Sequence, residues 1–180
     1  MSSTVTSSKA MSESESGPAA DGGTINTGKV TGRRELHFNK IDDIRAEAER
    51  LAAGSYRQLG NWTLGQTFSH LAAAIKLCLD GASFRVPFYI RWFAPLIKKK
   101  LLRGPMKPGF KLPRDASDGL IPANTVSMEQ GLNELRTTIE RLHREPVRKP
   151  SPIFGKMTNA EWDQLHLRHA ELHLGFYVPK

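Results

Sequence analysis

Two histidines, His169 and His173, stand four residues apart near the C-terminal end of this chain. On a helix that spacing leans both rings over one face. Two imidazoles so placed reach one metal ion, as in helical zinc sites. Leu165, Leu172 and Phe176 fall on the same face, so the pair is expected to point into the protein. There a shared cation would offset the cost of burying two imidazoles without partners. His70, beside the apolar Phe68 and Leu71, is the third candidate. If its helix neighbours that of the pair, three nitrogens meet across the core and leave an open position for water. Zinc, nickel or ferrous iron suits such a donor set. The competing reading is three core histidines, each satisfied by a single hydrogen bond.

Other residues are weaker candidates. His166 precedes His169 by three residues and shares its face. It can replace a ligand, but a place beside the ligands or on the surface is the preferred reading. Glu171, turned away from the pair, reads as solvated surface and not as a general base. Cys78 lies eight residues beyond His70, about 12 Å along a helix axis. That is too far to share an ion, and a small core residue is expected. His37 and His143 lie near helix ends and read as surface. No Ser-His-Asp order, glycine-rich phosphate loop or carboxylate dyad stands out.

The elements that must carry the histidines are helical. Ile41, Ile44, Ala48 and Leu51 make one apolar stripe, with Asn39 as its expected N-cap. Leu64, Phe68, Leu71, Ile75 and Cys78 make the second. Met128, Leu132, Leu135, Ile139 and Leu142 make the third, and the fourth runs from Thr158 to about Phe176. Thr63 with Gln66, Ser127 with Gln130, and Thr158 with Glu161 each form a capping box before a stripe. No β-alternating run competes. The expected architecture is an all-α four-helix bundle with a long insertion between helices 2 and 3.

The 180 residues suit one domain, and the lone Cys78 excludes a disulfide framework or a multi-cysteine metal site. Residues 1–34 are rich in Ser, Thr, Gly and Glu and read as a disordered N-terminal tail; residues 35–180 form the domain. With no run of 18 apolar residues and a Ser-rich, acidic start, a soluble cytoplasmic protein is expected. The net charge of +8 is local. Segment 84–114 holds nine Lys and Arg and no Asp or Glu, which leaves about −1 for the rest of the chain. That segment has three readings. In the preferred one its aromatics pack on the bundle and its lysines stay solvated, because Pro87 and Pro95 limit a continuous amphipathic face. In the second it contacts anionic lipid or nucleic acid. In the third it is a lid, with Phe88, Trp92 and Phe93 walling a pocket above the metal.

Three stretches carry a family resemblance. His169 to Gly175 resembles the H-x-x-x-H-x-G ending of DinB/YfiT-like proteins. Trp62-Thr63-Leu64-Gly65-Gln66-Thr67-Phe68-Ser69-His70-Leu71 resembles that superfamily's W-(S/T)-x-x-(Q/E)-x-x-x-H-L segment. Phe154-Gly155-Lys156-Met157-Thr158 with Glu161-Trp162 resembles an uncharacterised DinB-like branch, known mainly as a domain of unknown function. The resemblance covers about residue 36 to the C-terminus. It implies a DinB-like four-helix bundle holding a divalent metal ion on His70, His169 and His173. It also implies chemistry on a small-molecule substrate, with a low-molecular-weight thiol as co-substrate in the transferase members.

Two functions are therefore expected. The first is a metalloenzyme catalysing thiol transfer or hydrolysis, with metal affinity falling below about pH 6 as imidazoles protonate. The second is a non-catalytic helical-bundle binding protein that uses segment 84–114 as its contact surface. A homodimer is common for such bundles, though no residue demands one.

Overall fold

The computed structural model describes residues 24–82, 84, 86, 88–109 and 120–180, without the side chain of Ile90. Five α-helices occur among them: α1 (Ile41–Ala53), α2 (Leu64–Asp80), α3 (Phe88–Arg103), α4 (Met128–Arg144) and α5 (Asn159–Leu174). The four apolar stripes read from the sequence are α1, α2, α4 and α5, and they bury one common core. None of the described helices is long and apolar enough to cross a membrane.

Local chemistry sets where the helices begin. Thr63 Oγ1 accepts the Gln66 N–H while the Gln66 side chain accepts the Thr63 N–H, and Thr158 and Glu161 do the same for α5. At α4 only half of the box forms: Ser127 Oγ accepts the Gln130 N–H, but the Gln130 amide turns to Glu134. At α1 the cap position is Lys40, one residue later than expected, and the Asp43 carboxylate accepts the N–H groups of Asn39 and Lys40.

Cross-helix pairs give the topology. Ser69 meets Glu134 and Asp80 meets Arg141, so α2 and α4 run parallel. Glu49 with Arg136 and Asp42 with His143 set α1 antiparallel to α4. His70 with His169 and Cys78 with His166 set α5 antiparallel to α2. A parallel pair cannot be joined by a tight turn. Residues 81–127, which include the basic segment 84–114, are the crossover that makes it parallel. The first turns of α2 and α4 approach so closely at Gly65 and Gly131 that a Cβ on either would overlap the other helix's backbone.

Three sequence expectations are corrected. The fold is not purely helical: β1 (Tyr56–Gln58) pairs antiparallel with β2 (Tyr177–Pro179), with Arg57 opposite Val178. Three-residue strands are too short to show alternation. The proposed tail boundary also moves. Residues 1–23 lie outside the described residues, but 24–34 are held down by polar contacts that an apolar count misses. The Ile25 backbone pairs with the Asn61 side chain, and Val30 packs on the core. Arg33 donates to Leu172 O and lies over the Phe176 ring, while Arg34 donates to Tyr177 O and pairs with Glu47.

The third correction concerns the insertion. Pro95 does not divide it, and α3 runs unbroken for 16 residues. Pro95 sits on the exposed side, where a carbonyl left without its N–H partner can be hydrated. Nor do the aromatics of α3, Phe88, Tyr89, Trp92 and Phe93, pack on the bundle. Ala94 and Leu102 are buried instead, and Lys98 pairs with Glu161 at the start of α5 at 2.6 Å.

Candidate metal centre

The Thr63 cap starts α2 such that His70 lies in its second turn, on the side facing α5. On α5 the buried stripe is Trp162, His166, Leu167, Ala170, Glu171 and Leu174. His169 and His173 flank that stripe and are half-buried, whereas His70 is buried. The pair thus lies at the edge of the buried stripe and not in its middle. One potential ligand atom from each of the three histidines lies within 4.8 Å of the others. The rings are mutually crossed at 61–90°, with centroids 4.6–4.9 Å apart.

The closest approach identifies the tautomers. His70 Nδ1 is 2.7 Å from Leu120 O, so this nitrogen carries the proton and donates it. His70 Nε2 then carries a lone pair, and His169 Nε2 lies 3.1 Å from it. Tetrahedral zinc with bonds of about 2.0–2.1 Å spaces its nitrogens roughly 3.3 Å apart. Without an ion, the His169 N–H satisfies the His70 lone pair. With an ion, both nitrogens turn lone pairs to it with little movement.

Electrostatics keeps the cluster neutral. Burial lowers the His70 pKa, against the opposing pull of the Leu120 carbonyl. Burial lowers His169 and His173 well below the usual imidazole value, helped by the neighbouring imidazoles and, for His173, by Arg33. None of the three forms an ion pair with a carboxylate among the described residues. Neutral imidazoles are the form that ligates metal.

Two partners of the cluster escaped the sequence reading. The Trp62 ring stacks on His173 at 5.5 Å and 11° and lies 4.7 Å from His70, so it walls one side. Tyr177 fixes it by donating its hydroxyl to Trp62 O at 2.7 Å, while Thr67 Oγ1, 2.6 Å away, donates to that hydroxyl. Burial pushes the Tyr177 phenol upward. Leu120, at the far end of the crossover, supplies the carbonyl that orients His70. The W-x-x-x-x-x-x-x-H spacing held the clue to Trp62; Leu120 lies fifty residues from His70, and only the folded crossover brings it there.

The remaining candidates are placed elsewhere. His166 is buried and stands apart from the three-imidazole cluster: its Nε2 lies 3.4 Å from Cys78 Sγ and its ring stacks on Trp162 at 5.5 Å. Cys78 is the small core residue expected, its thiol pushed up to about 12 by burial. Glu171 is buried and not solvated. It accepts the Phe38 N–H at 2.6 Å and pairs with Arg168, which also donates to Phe38 O. This clamp joins α5 to the segment entering α1. His37 and His143 are exposed, as expected. Phe88, Trp92 and Phe93 are 77, 78 and 63 % exposed, and no ring contact among the described residues joins them to the imidazoles.

Residues 30–180 match the model of a family described as Protein of unknown function (DUF1569), and the chain belongs to that family. No curated protein and no solved structure matches it.

Proposed function

We propose that this member of the DUF1569 family is a divalent-metal-binding protein with a DinB-like bundle, in which His70, His169 and His173 hold one ion and a small-molecule substrate takes the open side. The observation that carries the reading is the convergence of three neutral imidazoles within 4.8 Å, free of any carboxylate partner. Zinc, nickel and ferrous iron all suit such a nitrogen set. A bound ion would act as a Lewis acid and lower the pKa of a water or thiol beside it.

The chain's own residues supply the rest. His70 is oriented by Leu120 O, Trp62 shields one side from water, and Tyr177 with Thr67 holds Trp62. The three donors are neutral imidazoles, which suits a reaction whose nucleophile is activated at the ion, as thiol transfer and hydrolysis both are.

Elemental analysis of protein purified without a polyhistidine tag tests the reading, alongside His169→Ala and His166→Ala variants. The expected result is about one equivalent of metal, lost in His169→Ala and kept in His166→Ala, consistent with one tetrahedral nitrogen site. Absence of metal in every sample, with no uptake of added zinc, nickel or ferrous iron, overturns it.

A further inference from the structure

Among its described side chains, helix α3 meets the bundle through one side. Ala94 and Leu102 are buried on that side, and Lys98 pairs there with Glu161. At 100° per residue, Phe88, Tyr89, Trp92, Phe93, Leu96 and Ile97 occupy the opposite arc, and each is more than half exposed. So large an apolar surface on one helix is not the ordinary scatter of single exposed residues. Lys99, Lys100 and Arg103 continue the same arc into the last turns, and all three are exposed. From Phe84 to Arg114 the sequence has no Asp or Glu.

We propose that this outward face docks on an anionic lipid surface, a role that goes beyond the metal centre and does not depend on it. At 16 residues α3 is about 24 Å long. It therefore lies along a bilayer and does not cross it. Its aromatic, Leu and Ile side chains enter the boundary between headgroups and acyl chains, and its lysines and arginine meet lipid phosphates. Tryptophan and tyrosine are at home in that layer, with an apolar ring and a polar atom to satisfy.

Charge and chemistry favour lipid over the alternatives. A second copy laying the same face on this one brings three more cations and no carboxylate to meet them. A nucleic acid takes the cations and can stack on a few rings, but it offers nothing to cover Leu96 and Ile97. An anionic bilayer matches both halves of the face. Docking there would hold the proposed metal centre at the membrane surface.

Co-sedimentation of the full chain with phospholipid vesicles tests this, using pure phosphatidylcholine and phosphatidylcholine with about one phosphatidylglycerol in four. The chain is expected to bind the anionic vesicles at least about tenfold better, with a blue shift of Trp92 emission. The Trp92→Ser/Leu96→Ser double variant is expected to lose at least about tenfold of that binding. Replacing Lys99, Lys100 and Arg103 with Gln is expected to lose about a hundredfold. Because the substituted side chains are exposed, far-ultraviolet circular dichroism and metal content should match the parent. Absence of binding to anionic vesicles overturns the proposal. Vesicle binding that ignores Trp92→Ser/Leu96→Ser, with equal retention on duplex DNA, also overturns it and marks a general polyanion surface. Failure on vesicles together with a dimer that this double variant abolishes assigns the face to self-association instead.

Discussion

One turn of α5 separates two histidine environments. His166 is 3 % exposed, stacked on Trp162 and facing the Cys78 thiol. His169 and His173 are half-buried and converge with His70 beside Trp62. The three share a residue type, a helix and a spacing of three or four, so none of these properties separates them. The difference lies in what the antiparallel α2 presents at each level. At residue 78 it presents a thiol, which satisfies one imidazole and closes the site. At residue 70 it presents another imidazole, already oriented by Leu120, which leaves lone pairs that only a proton or a cation can share.

The strongest way to break this comparison is a metal titration. Loss of an outer partner of a metal ligand costs about ten- to hundredfold in affinity, and loss of a ligand costs more. His70→Ala and His173→Ala are therefore expected to weaken binding by over about a hundredfold, and Trp62→Ala by about tenfold. His166→Ala should leave affinity nearly unchanged. Thermal unfolding gives a second readout. A metal at a hundred times its dissociation constant adds about 2.7 kcal/mol of stability to the parent and to His166→Ala. His169→Ala should show no such rise. Equal metal affinity in His166→Ala and His169→Ala variants would erase the distinction.

How far this division was legible depends on what each element asked of the chain. Apolar stripes at steps of three and four located α1, α2, α4 and α5, and the reciprocal capping at Thr63 and Thr158 fixed two starts to the residue. The His70, His169 and His173 cluster was legible because two of its members share one helix turn. Three things were not. The Gly65–Gly131 approach leaves no mark in a hydrophobic pattern, since glycine carries no side chain to count. The packing of α3 inverted the expectation because its docked face is made of Ala94, Leu102 and the stem of Lys98, the less conspicuous residues of that segment. The roles of His166 and Glu171 turned on partners more than eighty residues away, Cys78 and Phe38.

A smaller effect sharpens the comparison from the stability side. His166→Ala empties a buried ring site and strips the Cys78 thiol of its partner, so a loss of about 2–4 kcal/mol in the unfolding free energy is expected. The double variant His166→Ala/Cys78→Ala should cost less than the two single losses added together, because the pair shares one contact. Chemical denaturation of the four proteins, all without metal, measures this. Strict additivity would mean that thiol and imidazole do not interact.

The pH dependence follows from the same burial. The folded His166 pKa is lowered to about 3, below the unfolded value of about 6.5. Between these values the unfolded chain binds a proton that the folded chain does not. The stability is whole above about pH 6.5 and falls with acid, by up to about tenfold in the folding constant per pH unit. His70, His169 and His173 shift in the same direction and steepen the fall in metal-free protein. Asp163, pushed up by burial, opposes it only in the carboxylate range. His166→Leu should reduce the slope between pH 6 and 4 by about one proton. An unchanged slope would mean that His166 is not held neutral.

The smallest expected effect separates the two environments by access. With its thiol pushed up to about 12 and no exposed surface, Cys78 holds almost no thiolate at neutral pH and offers no path for a reagent. A disulfide reagent at about pH 8 should therefore label the native protein only at the rate of opening, and label it fully in denaturant. The half-buried imidazoles should behave differently. Diethyl pyrocarbonate acylates neutral imidazole, so His169 and His173 should react in the native metal-free protein and be protected by bound metal, while His166 stays unmodified. Peptide mapping of the acylated sites reads this directly. Modification of His166 ahead of His169 would place the open side of α5 one turn from where the three imidazoles converge, and the metal centre would lose its access.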